Sequence, residues 1–283
     1  MPQPAGKAAT VALRVGLFAV LGVAGQVFFA QALLWIGGNP WYLVASVLSV
    51  FAAAALANAL LMRIYERGRL ADVGFAWNAA ARRHLLLGLG GGIGAALVVL
   101  GGPLVAGAAE LAPAPPGDAS VLFVSVLLVF GAAGEEMLFH GYGFQVLLAA
   151  LGPWATILPT SVLFAWAHSS NLNVAPLALA NTGAWGAVLG YAFWRSGDLW
   201  LPIGLHLGWN WTLPLAGANL SGFTMNLTGH AIRWKIPALW SGGDYGPEGG
   251  LVTSVIVVAL LLGLWKAPLR RQCPLLLKAR WEV

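Results

Sequence analysis

Glu135 and Glu136 stand side by side in the stretch GEEMLFHG, residues 134 to 141, and His140 follows the second of them by four positions. Further along come FAWAH, ending in His168, and HLGWN, running from His206 to Asn210. Carboxylates and imidazoles take up and release protons or hold ions, and an amide both donates and accepts hydrogen bonds. Residues four apart share one face of a helix, so Glu136 stacks on His140 and His206 on Asn210. Glu135 points about 100° away from Glu136 in an unbroken helix. One carboxylate can therefore face a cavity shared with His168, His206 and Asn210, while the other holds its helix through a neighbouring donor.

The surroundings make these residues unusual. Of the 283 residues 59% are hydrophobic and 9% charged, where ordinary soluble proteins carry about 25% charged residues. Apolar runs long enough for roughly 20 residues of membrane-crossing helix recur from end to end. Hydropathy gives spans near 15–36, 41–62, 84–108, 121–138, 153–168, 174–195, 201–217 and 251–265. The expected fold is all-α, a polytopic integral-membrane bundle of about eight transmembrane helices, in one domain covering 1–283. Eight of the ten acidic residues fall in expected loops or tails, and only Glu135 and Glu136 lie within a span. An acid at mid-membrane costs about 2.5–3.5 kcal/mol on insertion scales, so the pair needs partners or water, and such groups mark function by default.

Charge sets orientation. Arg63, Arg67, Arg69, Arg82 and Arg83 gather between the second and third spans, and Lys266, Arg270, Arg271, Lys278 and Arg280 crowd the C-terminus. The positive-inside rule puts these segments, and with an even number of crossings both termini, in the cytoplasm. The net charge of +5 is thus spread over loops and tails, and no nucleic-acid partner is expected. Residues 63–83, with Leu70, Val73, Phe75 and Trp77 among the arginines, read as a segment lying in the interface. The first apolar run continues past Ala30-Gln31-Ala32, which favours a retained helix over a cleaved signal. Cys273 is the single cysteine, which excludes an internal disulfide and a cysteine-based zinc cluster. Gly90 with Gly94 forms a small-xxx-small pair for close helix approach. The stretches ELAPAPPGDAS and SGGDYGPEGG read as connectors.

The ordered motifs resemble those of the CPBP family, the CAAX-protease and bacteriocin-processing enzymes also called Abi or type II CAAX prenyl endopeptidase-like proteins. Their pattern is EExxxR, FxxxH and HxxxN; here it reads Glu135 to His140, Phe164 to His168 and His206 to Asn210, within about 121–217. The resemblance implies an intramembrane endopeptidase that cleaves a membrane-associated protein or peptide, prenylated in the branch that gives the family its name. It implies Glu135 as general base on a water, His168 and His206 as groups positioning that water or a metal, and Asn210 as donor to the oxyanion. Glu136 with His140 would support them. If a metal such as zinc is bound, Glu135, His168 and His206 would be its ligands, as in a metalloprotease. The glycine-rich stretch before the last span is similar to bacterial members, and a bacterial cell membrane is the expected location.

His140 stands where the family has arginine, so its pairing with Glu136 is expected to be weaker and pH-dependent. That departure leaves an inactive scaffold or immunity-type member as one alternative, and a transporter using the same residues as another. The oligomeric state is open. One conflict stands out: Glu135, Glu136 and His206 fall toward the cytoplasmic side of their spans, whereas His168 closes an outward-running one. Either the fifth span begins later than hydropathy draws it, or the cavity is deep.

Overall fold

A computed structural model describes residues 5–38, 41–115 and 117–278. The helices are α1 (Ala5–Gly37), α2 (Tyr42–Tyr65), α3 (Ala79–Val105), α4 (Val121–His140), α5 (Tyr142–Leu151), α6 (Pro153–Ala167), α7 (Pro176–Ser196), α8 (Trp200–Leu215), α9 (Ala238–Ser241) and α10 (Leu251–Lys266). All eight expected spans coincide with helices, and the chain is an all-α bundle of membrane character. Three helices, α1, α2 and α3, and the α4–α5 stretch Val121–Leu151 are long and apolar enough to cross a membrane. Helices α6, α8 and α10 have only 15 or 16 residues. The starts follow local chemistry: the Asn78 side chain accepts from Ala81 N–H, Ser120 accepts from Phe123 N–H, and Pro153 and Pro176 open α6 and α7.

Two departures from the expected helices bear on the site. The proline-bearing connector contains a strand, β1 (Ala109–Pro113), which pairs antiparallel with β2 (His230–Trp234). The other is α5, separated from α4 by Gly141. A side chain at Gly141 would collide with the Met137 carbonyl and the Asn58 amide. Asn58 mends this break from α2, donating to Met137 O at 3.0 Å and accepting from Tyr142 N–H at 2.7 Å. Contacts along α1 pass from Leu138 beside Gly22 to Phe18 and Arg14 beside Tyr142, so α5 carries on toward the N-terminal end of α1.

The glycine reading of α3 needs correcting by two residues. Gly90 and Gly94 have open space where a Cβ would stand, whereas at Gly88 and Gly92 it would strike the Leu201 and Leu205 carbonyls. Gly204 and Gly208 on α8 meet the Leu85 and Leu89 carbonyls in return. The close helix pair is therefore Gly88-xxx-Gly92 against Gly204-xxx-Gly208. Backbone contact fixes α8, and with it His206, against α3 without intervening side chains. Gly92→Leu should lower the thermal midpoint of the detergent-solubilised protein sharply, since overpacking costs about 1–3 kcal/mol and more where backbone cannot yield. Gly90→Leu, entering open space, should leave the midpoint nearly unchanged.

The segment expected to lie in the interface packs on the bundle. Val73 is buried, Phe75 and Trp77 pack edge-on against Trp200 at 5.5 and 4.7 Å, and Gln145 of α5 donates to Val73 O. Arg14 bonds Tyr142 and pairs with Glu66, tying the start of α1 to the end of α2.

Candidate active site

Two backbone features bring the motif residues together. Gly134 lets α4 press on α2, because a Cβ there would lie 2.8 Å from the Phe51 Cα. Helix α5 extends the α4 path by ten residues, roughly 15 Å. Helix α6 returns over fifteen, roughly 22 Å. His168, capping the C-terminus of α6, thereby comes back level with Glu135. The helix that brings His168 to this level, α5, lies in residues 139–152, which hydropathy left outside every span.

Glu136 is wholly buried and joins two imidazoles. His140 Nδ1 lies 2.6 Å from its Oε2 and His206 Nδ1 lies 2.8 Å from its Oε1. An ionised carboxylate only accepts, so both Nδ1 atoms carry protons and donate. His140 also packs on Phe144 of α5, and Gly190 of α7 leaves room beside its Nε2.

Glu135 faces the other way and is 30% exposed at its side chain. Its Oε2 is buried, has no hydrogen-bond partner among the described residues, and lies 3.8 Å from the Nε2 atoms of both His168 and His206. His168 Nδ1 meets the Phe164 carbonyl at 2.7 Å. A carbonyl only accepts, so Nδ1 carries the proton there too. With Nδ1 protonated in both rings, a neutral imidazole presents its Nε2 lone pair to Glu135. Phe164, the first residue of the second motif, sits between the rings, 4.6 Å from His168 and 6.2 Å from His206.

Three electron-pair donors thus converge on one small space, which fits a water molecule or a cation. In donor type they match the His₂Glu set of catalytic zinc sites. They are not spaced as a finished site: tetrahedral bonds of about 2.0–2.2 Å put donors roughly 3.4 Å apart. Among the described residues no group of three or more His, Cys, Asp or Glu stands ready to hold a metal ion. Asn210 lies one turn beyond His206 on α8, half-buried and without a hydrogen-bond partner among the described residues.

Two acids expected in loops prove to be buried. Glu248, in the glycine-rich connector, accepts from Trp209 Nε1 at 3.2 Å and from Ser221 Oγ at 3.0 Å. Burial pushes its carboxyl up despite these donors and the Ser221 N–H. Trp209 lies between His206 and Asn210 in the sequence of α8, so Glu248 steadies the face that carries them. A glutamate enclosed by proline and glycines in SGGDYGPEGG was the available signal. Asp198 pairs with the buried His84 at 2.6 Å and caps α8 through Trp200 N–H and Leu201 N–H. It locks α8 to α3 at the far end from Glu248.

Fold and site together define a helical membrane-type bundle with a buried carboxylate–imidazole cluster drawn from α4, α6 and α8. Residues 117–212 match the family model described as type II CAAX prenyl endopeptidase Rce1-like, so the chain carries an Rce1-like segment, in agreement with the resemblance to the CPBP family. All the motif residues fall within the matched stretch. No curated protein and no solved structure matches the chain.

Proposed function

We propose that the protein is an intramembrane endopeptidase that hydrolyses a peptide bond in a membrane-associated protein or peptide. The Rce1-like match supports protease activity of this kind. The observation that carries the catalytic reading is the orphaned Glu135 Oε2, set 3.8 Å from two imidazole nitrogens whose other nitrogens are engaged.

In this reading a water sits between Glu135 and the two histidines. Glu135 takes one of its protons as the oxygen attacks the scissile carbonyl, and the remaining O–H, shared between the Nε2 atoms of His168 and His206, fixes its aim. Asn210 Nδ2 donates to the carbonyl oxygen as it becomes an oxyanion. When the C–N bond breaks, the proton held by Glu135 passes to the leaving amine, leaving a carboxyl and an amino terminus. Glu136 holds His206 in the tautomer this requires, and His140 holds Glu136. A divalent ion such as zinc, bound by Glu135, His168 and His206, would polarise the carbonyl and acidify the water. In the same reading, the positive-inside rule applied to the basic segments around 63–83 and 266–280 orients this chemistry toward the cytoplasmic side, with both termini there.

The test is a comparison of N- and C-terminal peptides from membranes expressing wild type or Glu135→Ala at matched levels. Termini present only with wild type would establish cleavage and identify substrates. Identical profiles from two folded, abundant proteins would sink the proposal and favour transport or a scaffold. Repeating the assay after chelation and zinc re-addition separates the two modes: loss and recovery assigns the metal, and retention assigns the water to Glu135 and the histidines alone. Asn210→Ala should reduce the cleavage rate by about 10²–10³ with the thermal midpoint unchanged, as removal of an oxyanion donor does. A loss under tenfold would take Asn210 out of the mechanism.

A further inference from the structure

A groove of about 460 Å³ runs between α3 and α10 on the side of α8 away from the motif residues, with Arg83 at one end and Gly90, Gly94, Leu205 and Leu260 along it. Its lining is apolar apart from Arg83, and Leu87 and Val98 on α3 are exposed within it. In a membrane-spanning bundle such a surface meets hydrocarbon rather than water. At Gly90 and Gly94 nothing lies within 4 Å of where a Cβ would stand, so neither glycine serves helix packing.

Arg83 supplies the polarity. It is exposed, and its side chain has no ion pair or hydrogen bond among the described residues. Arg82 stands beside it, and Lys266 and Arg270 gather at the adjoining end of α10. Along α3, Gly90 and Gly94 lie roughly 10–16 Å from Arg83, about the 15 Å depth of one leaflet's hydrocarbon. A molecule with an anionic head at Arg83 would thus lay its chain over the glycines.

We infer that this groove is a binding site for one anionic phospholipid of the surrounding bilayer, its phosphate on Arg83 and an acyl chain against Gly90 and Gly94. The site is independent of the proteolytic reading, since no motif residue lines it.

Native mass spectrometry of the full chain released from detergent, after exposure to dioleoylphosphatidylglycerol or dioleoylphosphatidylcholine vesicles, tests this. Wild type is expected to retain one phosphatidylglycerol in preference to phosphatidylcholine. Arg83→Ala should weaken that preference about fivefold, the effect of one basic residue at an anionic surface. Gly94→Leu should fill the groove and remove the retained lipid. Gly101→Leu, also entering open space on α3 but outside the groove, should change nothing. Thermal midpoints of all three variants confirm folding. Equal retention by Gly94→Leu and wild type would overturn the site, as would a preference indifferent to Arg83. So would a dimer that Gly94→Leu dissociates with no lipid involved, because the occupant would then be a second copy of the chain.

Discussion

Glu135→Gln is expected to abolish measurable cleavage while leaving the protein folded. The substitution keeps the size of the side chain and removes the base. Glu135 makes no hydrogen bond that holds the helices together: its Oε2 is unpartnered among the described residues and its side chain is partly exposed. Structural cost is therefore small, and the catalytic cost is that of losing a general base, about 10²–10⁴ in rate. The measurement is the initial rate of cleavage of a substrate identified from the peptide termini, with the thermal midpoint recorded on the same preparation. Full activity in Glu135→Gln would remove Glu135 from the chemistry. Loss of activity with a collapsed midpoint would mean that the residue is structural.

Glu136→Ala is expected to fail in the opposite order, losing stability first. Glu136 is wholly buried, and its two oxygens take the Nδ1 protons of His140 and His206. Its removal strands two buried donors at the centre of the bundle. Breaking a buried charge-assisted cluster from one side costs about 3–5 kcal/mol. A large drop in thermal midpoint is the expected result, with loss of cleavage following from it. Glu136→Gln separates the two effects. The amide fills the space and accepts from one imidazole, but it turns a donor toward the other, forcing that ring to change tautomer. If His206 changes, its Nε2 carries a proton where the water needs an acceptor. Cleavage should then fall by about 10² or more, the lower end for a misplaced proton-transfer group, with most of the midpoint retained. Glu136→Ala matching wild type in midpoint would contradict the bridge between α4 and α8.

The contrast between these neighbours shows how far the sequence could be read. Adjacent glutamates on a helix must face different ways, so one acid for the cavity and one for support followed from spacing alone. Which partners each would find did not. His140 was legible as a partner of Glu136 because four residues separate them; His206 was not, because 70 residues separate it from Glu136 and no local rule joins them. Glu248 and Asp198 do lie in connectors, as the sequence indicates, but their burial was not legible there. Burial of such residues depends on what packs above the loop, and Trp209 and His84 lie far along the chain.

The sequence by itself determined the class of molecule, the eight helical segments, the motif residues and the share of faces within each helix. Those are set by composition and by the 3.6-residue period, which act over a few turns. Tertiary structure decided the depth of His168, the phase of the glycine contact between α3 and α8, and the meeting of Glu135 with two imidazoles. Each depends on contacts between segments distant in sequence: the Gly141 break mended by Asn58, the α5 extension that sends α6 back to the right level, and backbone packing that a two-residue shift of glycine phase would have directed elsewhere.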